Sequence, residues 1–169
     1  TRAPQELTTS LRLRDAGVAT PEVVAYAVYR AGGPLRRSDV ATGESAGGPD
    51  HPTVLADAAP RRNVSGIFDA TARLLRTLAR AGARHPDVNA ANVLLVRQDE
   101  GGYRAFVLDV DRVVFGTPGD ASVAAANFDR LARSLRKLRS LGRVTVSDAE
   151  LSALAAAVGF VFFLMGIAW

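Results

Sequence analysis

The sequence of 169 residues predicts an α+β chain in which helices gather around a short β-hairpin. Three patterns predict it. Val64, Ile67, Phe68, Thr71, Leu74, Leu75 and Leu78 recur at the i, i+3, i+4, i+7 spacing of one helix face, with Arg73, Arg76 and Arg80 on another. Residues 93–96 and 105–108 are apolar runs on either side of Asp99-Glu100-Gly101-Gly102, the mark of a hairpin. Further on, Phe128, Leu131, Leu135 and Leu138 share a helix face that excludes Arg130, Arg133, Arg136 and Arg139. With 48% hydrophobic residues the chain has material for a sizeable core.

Residues 4–14, with Leu7 and Leu11 on one side, read as a first helix closed by Gly17 ahead of Pro21. The β-branched and aromatic run 23–29 follows as a strand. Ala31-Gly32-Gly33-Pro34 makes a turn, residues 38–42 form the returning strand, and 43–60 is a loose loop containing Gly, Pro and Asp. Asn63 or Ser65 caps the long helix and Gly82 ends it, because a glycine readily takes the left-handed conformation of a helix stop. Ser147 with Glu150 is spaced as a capping box that starts a last helix. From 151 to 169 no residue is charged and Ser152 is the only polar side chain, which predicts an apolar C-terminal helix, either buried or seated in a membrane.

Twenty-one Lys plus Arg against 17 Asp plus Glu give a net charge of +4, and Lys137 is the only lysine. This balance suits an anionic partner such as a nucleotide, a phosphorylated glycolipid or an acidic membrane surface. No base-reading motif or interleaved aromatic stripe accompanies it, so no nucleic-acid partner is expected. The absence of cysteine excludes disulfides, thiolate catalysis and cysteine zinc sites, and two histidines are too few for a His-rich metal site. No basic stretch followed by an apolar run stands at the start, so no secretory signal is predicted, and the opening at Thr1 reads as a cut.

Two segments carry the chemistry: His85-Pro86-Asp87-Val88-Asn89-Ala90-Ala91-Asn92-Val93-Leu94-Leu95, and Val107-Leu108-Asp109-Val110-Asp111-Arg112. The first resembles the catalytic loop H-x-D-x-x-x-x-N of protein-kinase-like enzymes, and the second their metal-binding D-F-G segment. The resemblance implies a protein-kinase-like fold, with an incomplete N-lobe and a mainly helical C-lobe carrying the catalytic hairpin. It also implies ATP and Mg²⁺ as cofactors. Asp87 would be the base that accepts the acceptor's proton, Asn92 an amide-oxygen ligand of the metal, and Asp109 the carboxylate joining metal to nucleotide phosphates. His85 would be the scaffold of the catalytic loop, and Asn89 within it is counted with Asp87 and His85 among the catalytic residues.

Asn89 within that loop, Asp111-Arg112 in place of a glycine, and the run Asn127-Phe128-Asp129-Arg130-Leu131-Ala132-Arg133-Ser134-Leu135-Arg136-Lys137 narrow the resemblance. Together with Asp15-Ala16-Gly17-Val18-Ala19-Thr20-Pro21 they resemble the Kdo/WaaP lipopolysaccharide kinase family, whose pattern is D-L-N-x-x-N, L-I-D-F-D-R, then N-L-x-R-L-x-R-S-L-x-K. That family implies transfer of the ATP γ-phosphate to a hydroxyl of Kdo or heptose in the lipopolysaccharide inner core. It implies work in the cytoplasm, at the inner face of the bacterial inner membrane, on a lipid-linked acceptor. Val88 and Val110 replace the usual Leu and Phe, and Pro86 stands where other residues are commoner. Two alternatives stay open: a small-molecule kinase of the aminoglycoside or choline type, against which Asp111-Arg112 argues, and a pseudokinase-like binding module.

Such a kinase also needs a Gly-rich loop over the phosphates and a strand lysine paired with a helix glutamate. No lysine precedes Lys137, and Ala31-Gly32-Gly33-Pro34 is too short for that loop. Glu6 on the first helix is the best match for the cofactor-side glutamate. The expected division is a partial N-lobe at 1–42, a C-lobe with the catalytic loop at 43–150 and the apolar helix at 151–169. The chain as given is expected to be a fragment with little or no phosphotransfer, because the missing groups supply positioning and charge stabilisation.

Overall fold

The long amphipathic helix is the element on which the rest is packed. In the computed structural model, which describes residues 2–33, 36–43 and 64–159, the chain opens with helix α1 (Arg2–Asp15) and a hairpin of β1 (Val23–Arg30) and β2 (Arg36–Thr42). Helix α2 (Val64–Arg80) follows, then β3 (Ala83–Arg84), β4 (Val93–Arg97), β5 (Tyr103–Val107) and β6 (Val114–Phe115). Helices α3 (Ala121–Ser140) and α4 (Asp148–Val158) complete it, and short 3₁₀ turns cover Ala90–Asn92 and Val110–Arg112. The strands pair antiparallel as β1 with β2, β3 with β6 and β4 with β5.

One apolar cluster joins these elements. Its members include Ile67, Leu75 and Leu78 of α2, Leu131 and Leu135 of α3, Leu154 of α4, and Leu95 of β4, all at most 1% exposed. Leu13 of α1 and Val18 just beyond it belong to the same cluster, so α1 is anchored in the core that also holds Val88, Ala90, Val107 and Val110. Each such leucine contributes about 2–5 kcal/mol by the cost of truncating it to alanine. Two polar ties add to the packing: Val107 N–H donates to Ala19 O at 2.9 Å, and an Arg76 N–H donates to Ala157 O, fastening α2 to α4. By contrast Val24, Tyr26, Val28 and Tyr29 of the first hairpin stay exposed.

The elements expected from the sequence lie close to those observed. Helix α1 extends a little beyond 4–14, and β2 begins at Arg36 rather than at 38. The Ser147–Glu150 capping box is present in both directions, with Ser147 N–H donating to Glu150 Oε2 at 2.7 Å and Glu150 N–H to Ser147 Oγ at 3.2 Å. Helix α4 stops on Gly159 at φ 104°. Its 11 residues rise about 16 Å, roughly half a bilayer's hydrocarbon thickness. No helix among the described residues is long and apolar enough to cross a membrane. Pro34, the loop at 44–60, the Asn63 cap and residues 160–169 lie outside the described residues.

Gly82 sets the exit from α2 towards the loop at 85–92. It sits at φ 64°, and a Cβ there would lie 2.5 Å from Gly116 O and 2.9 Å from Thr117 O. That close approach lets Gly116 N–H reach Gly82 O at 2.8 Å, beside the β3–β6 pair. Gly82→Ala is therefore expected to destabilise the fold by about 2–4 kcal/mol, from left-handed strain plus overpacking. Urea unfolding of the two proteins measures it, and a cost below about 0.5 kcal/mol contradicts the close packing.

Candidate active site

Strand β3 delivers the chain into the loop 85–92, and that loop is held almost entirely by its own polar groups and by α3. His85 is 1% exposed. Its Nδ1 accepts from the Asp87 N–H at 3.1 Å, so the ring proton sits on Nε2 and is donated to Leu108 O at 3.0 Å. Burial holds the imidazole pKa below its usual 6.5, against the pull of the Leu108 carbonyl and of the Asp109, Asp87 and Asp111 carboxylates. The ring is thus a neutral strut between the Asp87 backbone and the residue before Asp109.

The asparagines of the loop divide the remaining work. Asn89 Oδ1 accepts from Ala91 N–H at 2.9 Å and Asn92 N–H at 3.1 Å, capping the 3₁₀ turn, and its Nδ2 donates to Asp87 O at 3.3 Å. Expected among the catalytic residues, Asn89 has its amide committed to the loop's own backbone. Asn92 Nδ2 donates to the same carbonyl at 2.9 Å, which fixes the amide and leaves its Oδ1 without a donor among the described residues. Leu108 N–H donates to Asn92 O at 2.9 Å, continuing the Val93↔Val107 register, so Asn92 stands one residue from Asp109 across the hairpin.

Asp109 is exposed and, at φ 55° and ψ 51°, is the one non-glycine residue with positive φ among those described. A left-handed aspartate costs about 1–2 kcal/mol and persists where its neighbours over-determine it. Here both polar backbone groups of Leu108 are bonded, and the 3₁₀ turn behind Asp109 closes through Val113 N–H to Val110 O at 3.1 Å. Glu6 of α1 faces Asp109 across a cavity of about 200 Å³ that Ser10, Thr20, Leu108 and Val110 help to line. Burial first, then the Asp111 and Asp109 charges, raise the Glu6 carboxyl above its ordinary value.

Among the described residues no group of three or more His, Cys, Asp or Glu is placed to hold a metal. A site made of one carboxylate, Asp109, and one amide oxygen, Asn92, suits Mg²⁺, which is commonly bound by one or two protein oxygens with phosphate and water completing the shell.

The sequence profile of the lipopolysaccharide kinase (Kdo/WaaP) family matches residues 1–157. The chain belongs to that family. It is 40% identical over 85 residues to a 3-deoxy-D-manno-octulosonic acid kinase of Xanthomonas oryzae pv. oryzae, a stretch covering 50% of this chain and 32% of that protein. A protein of the same description from Stenotrophomonas maltophilia is 36% identical over 96 residues, covering 57% and 36%. The matched stretches thus span about a third of these curated relatives' length. Among solved structures, WaaP in complex with acyl carrier protein superposes with a TM-score of 0.68 at 22% identity, over 92% of this chain and 65% of that one. The Rio2 kinase–ADP/Mg²⁺–phosphoaspartate complex from Chaetomium thermophilum gives 0.54 at 17% identity, over 94% and 44%. These likenesses establish the protein-kinase-like fold.

The α3 run that marks this lipopolysaccharide kinase family turns out to be the backing of the loop. Asn127, fully buried, accepts at Oδ1 from His85 N–H at 2.9 Å and donates from Nδ2 to Ala83 O at 2.9 Å. Seven residues on, Ser134 Oγ accepts from Ala90 N–H at 3.1 Å. Between them Arg130 brings an N–H nitrogen to 3.6 Å from Asp87 Oδ1. In the sequence these residues stand out only as part of the family-like run, with the arginines off the apolar face. The available signal was their spacing of three, four and seven, which puts 127, 130 and 134 on one side of a helix.

Because the folded state keeps His85 neutral, its contribution to stability is present above the ordinary histidine value and is lost as pH falls through the depressed folded value. The protein is expected to lose stability between pH 7.5 and 5.5. His85→Gln should cost about 2–4 kcal/mol at pH 7.5 by leaving Asp87 N–H or Leu108 O unpaired, and should flatten that pH dependence. Denaturant titrations at both pH values check it, and an equal acid sensitivity in the two proteins contradicts it.

Proposed function

We propose that the chain carries the catalytic-loop half of an ATP-dependent kinase that phosphorylates a hydroxyl of an acidic sugar in the lipopolysaccharide core. Residues 1–42 contribute part of an N-lobe, and 43–150 the C-lobe. The observation that carries this reading is the His85 strut, which makes the loop bearing Asp87 and the segment bearing Asp109 one rigid unit. Family membership and the octulosonic acid kinases among the relatives favour a sugar-acid acceptor over an aminoglycoside or choline.

In this reading the Asp87 carboxylate accepts a hydrogen bond from the acceptor hydroxyl and takes its proton as the oxygen attacks. Asn92 Oδ1 and Asp109 would hold Mg²⁺, with His85 keeping their backbones in register. Bound Mg²⁺-ATP supplies the transferable phosphoryl group and the cationic charge that neutralises it. Glu6 lies on the nucleotide side of Asp109, across the cavity that both line. A lipid-linked acceptor would bring the protein to the inner face of the bacterial inner membrane.

Titration calorimetry with ATP tests the site. Binding is expected to require Mg²⁺, to weaken about tenfold or more in Asp109→Ala, and to stay within about threefold in Asp87→Asn, which alters the base and not the metal site. Mg²⁺-ATP binding indifferent to Asp109→Ala contradicts the reading.

A further inference from the structure

Among the described residues, one ion pair to Asp87 brings a cation to the side where an acceptor would sit. Asp87, Asp109, Asp111 and Glu6 give this region four carboxyl groups, and the Asp111 and Asp109 charges are near enough to act on Glu6. An acceptor that itself carries a carboxylate would be repelled there unless a cation met it. Asn89, the polar side chain nearest in sequence, is turned onto the loop backbone. Arg130 is different. Its guanidinium stands 3.6 Å from Asp87 Oδ1, beyond hydrogen-bond length, and its side chain keeps 47% of its surface exposed. No hydrogen bond engages it among the described residues, so its planar set of five N–H donors stays open to a ligand.

Its placement is nonetheless fixed. Asn127 and Ser134, one turn before and one turn after, are bonded to the loop at His85, Ala83 and Ala90, so the backbone of α3 cannot slide relative to Asp87. We propose that Arg130 is a specificity-determining residue that binds the carboxylate of the sugar-acid acceptor and so places the neighbouring hydroxyl against Asp87. The inference rests on the reading of the chain as a kinase for an acidic sugar. A guanidinium matches a carboxylate with two parallel N–H···O bonds, which orients the sugar as well as holding it. Arg130 would then share its charge between Asp87 and the acceptor, and the distance between them sets the reach from carboxylate to hydroxyl.

The test pairs a change on the protein with a change on the ligand. Binding of 3-deoxy-D-manno-octulosonic acid and of its methyl ester is measured by titration for the 169-residue chain, Arg130→Gln and Arg130→Lys, with thermal unfolding as the check on folding. The chain is expected to prefer the acid over the ester by about tenfold or more, a preference lost in Arg130→Gln and partly kept in Arg130→Lys. If the acid is still preferred in folded Arg130→Gln, or if acid and ester bind the unaltered chain alike, the role of Arg130 is overturned while the acceptor reading stands. A loss of Mg²⁺-ATP affinity in Arg130→Gln with the acid preference intact assigns the guanidinium to the nucleotide and overturns it too. Failure of every folded protein to bind either sugar overturns the acceptor reading and this inference together.

Discussion

A buried imidazole with one proton holds the site together. His85 has an acceptor nitrogen and a donor nitrogen on opposite sides of a rigid ring, and each has one partner: the Asp87 N–H and the Leu108 carbonyl. In a neutral ring these roles cannot be exchanged without leaving both partners unpaired, at about 1–3 kcal/mol for each buried group. The ring therefore dictates how far the 85–92 loop stands from the segment that carries Asp109. The Asn92–Leu108 bond extends the hairpin register to the same place, and the left-handed Asp109 follows from how firmly its predecessor is held.

The strut works only if His85 itself is fixed, and that is the task of α3. Its apolar side, with Leu131 and Leu135, is sunk in the common core. From the same helix Asn127 closes two bonds onto the backbone of 83 and 85, a pairing that costs no unsatisfied polar atom although the side chain is fully buried. Hydrophobic burial thus supplies the free energy, and the amide and hydroxyl supply the register. Gly82 completes the frame from the other direction, since its missing Cβ lets the Gly116 strand end close against β3.

What the sequence disclosed, and what it hid, follows from the range of the interactions. Helices α2 and α3 and the β4–β5 hairpin were legible because their periodicity is local, whereas Asp87, Asn92 and Asp109 are grouped only by the resemblance of their two segments to those of kinase-like enzymes. Asn127 was not legible as a structural hub. Its bonds span 42 and 44 positions, and a polar residue in an Ala- and Arg-rich helix looks solvated until its partners are seen. Arg130 was hidden in the same way among arginines of similar spacing. Asn89 carried a catalytic expectation, yet cap geometry uses its amide within three residues. Within the apolar stretch after 150, α4 closes on Gly159, because left-handed termination depends on backbone geometry that composition does not reveal. Glu6 was a weak match in sequence, and only the packing of α1 brings it across the cavity from Asp109.

The measurement that bears most directly on the His85 strut is the ¹⁵N chemical shift pattern of its imidazole, read from long-range proton–nitrogen correlations at pH 7. The geometry predicts a neutral ring protonated at Nε2 and bare at Nδ1. A ring protonated at Nδ1, or an imidazolium at pH 7, would contradict the view that His85 holds the 85–92 loop and the 107–112 segment in register.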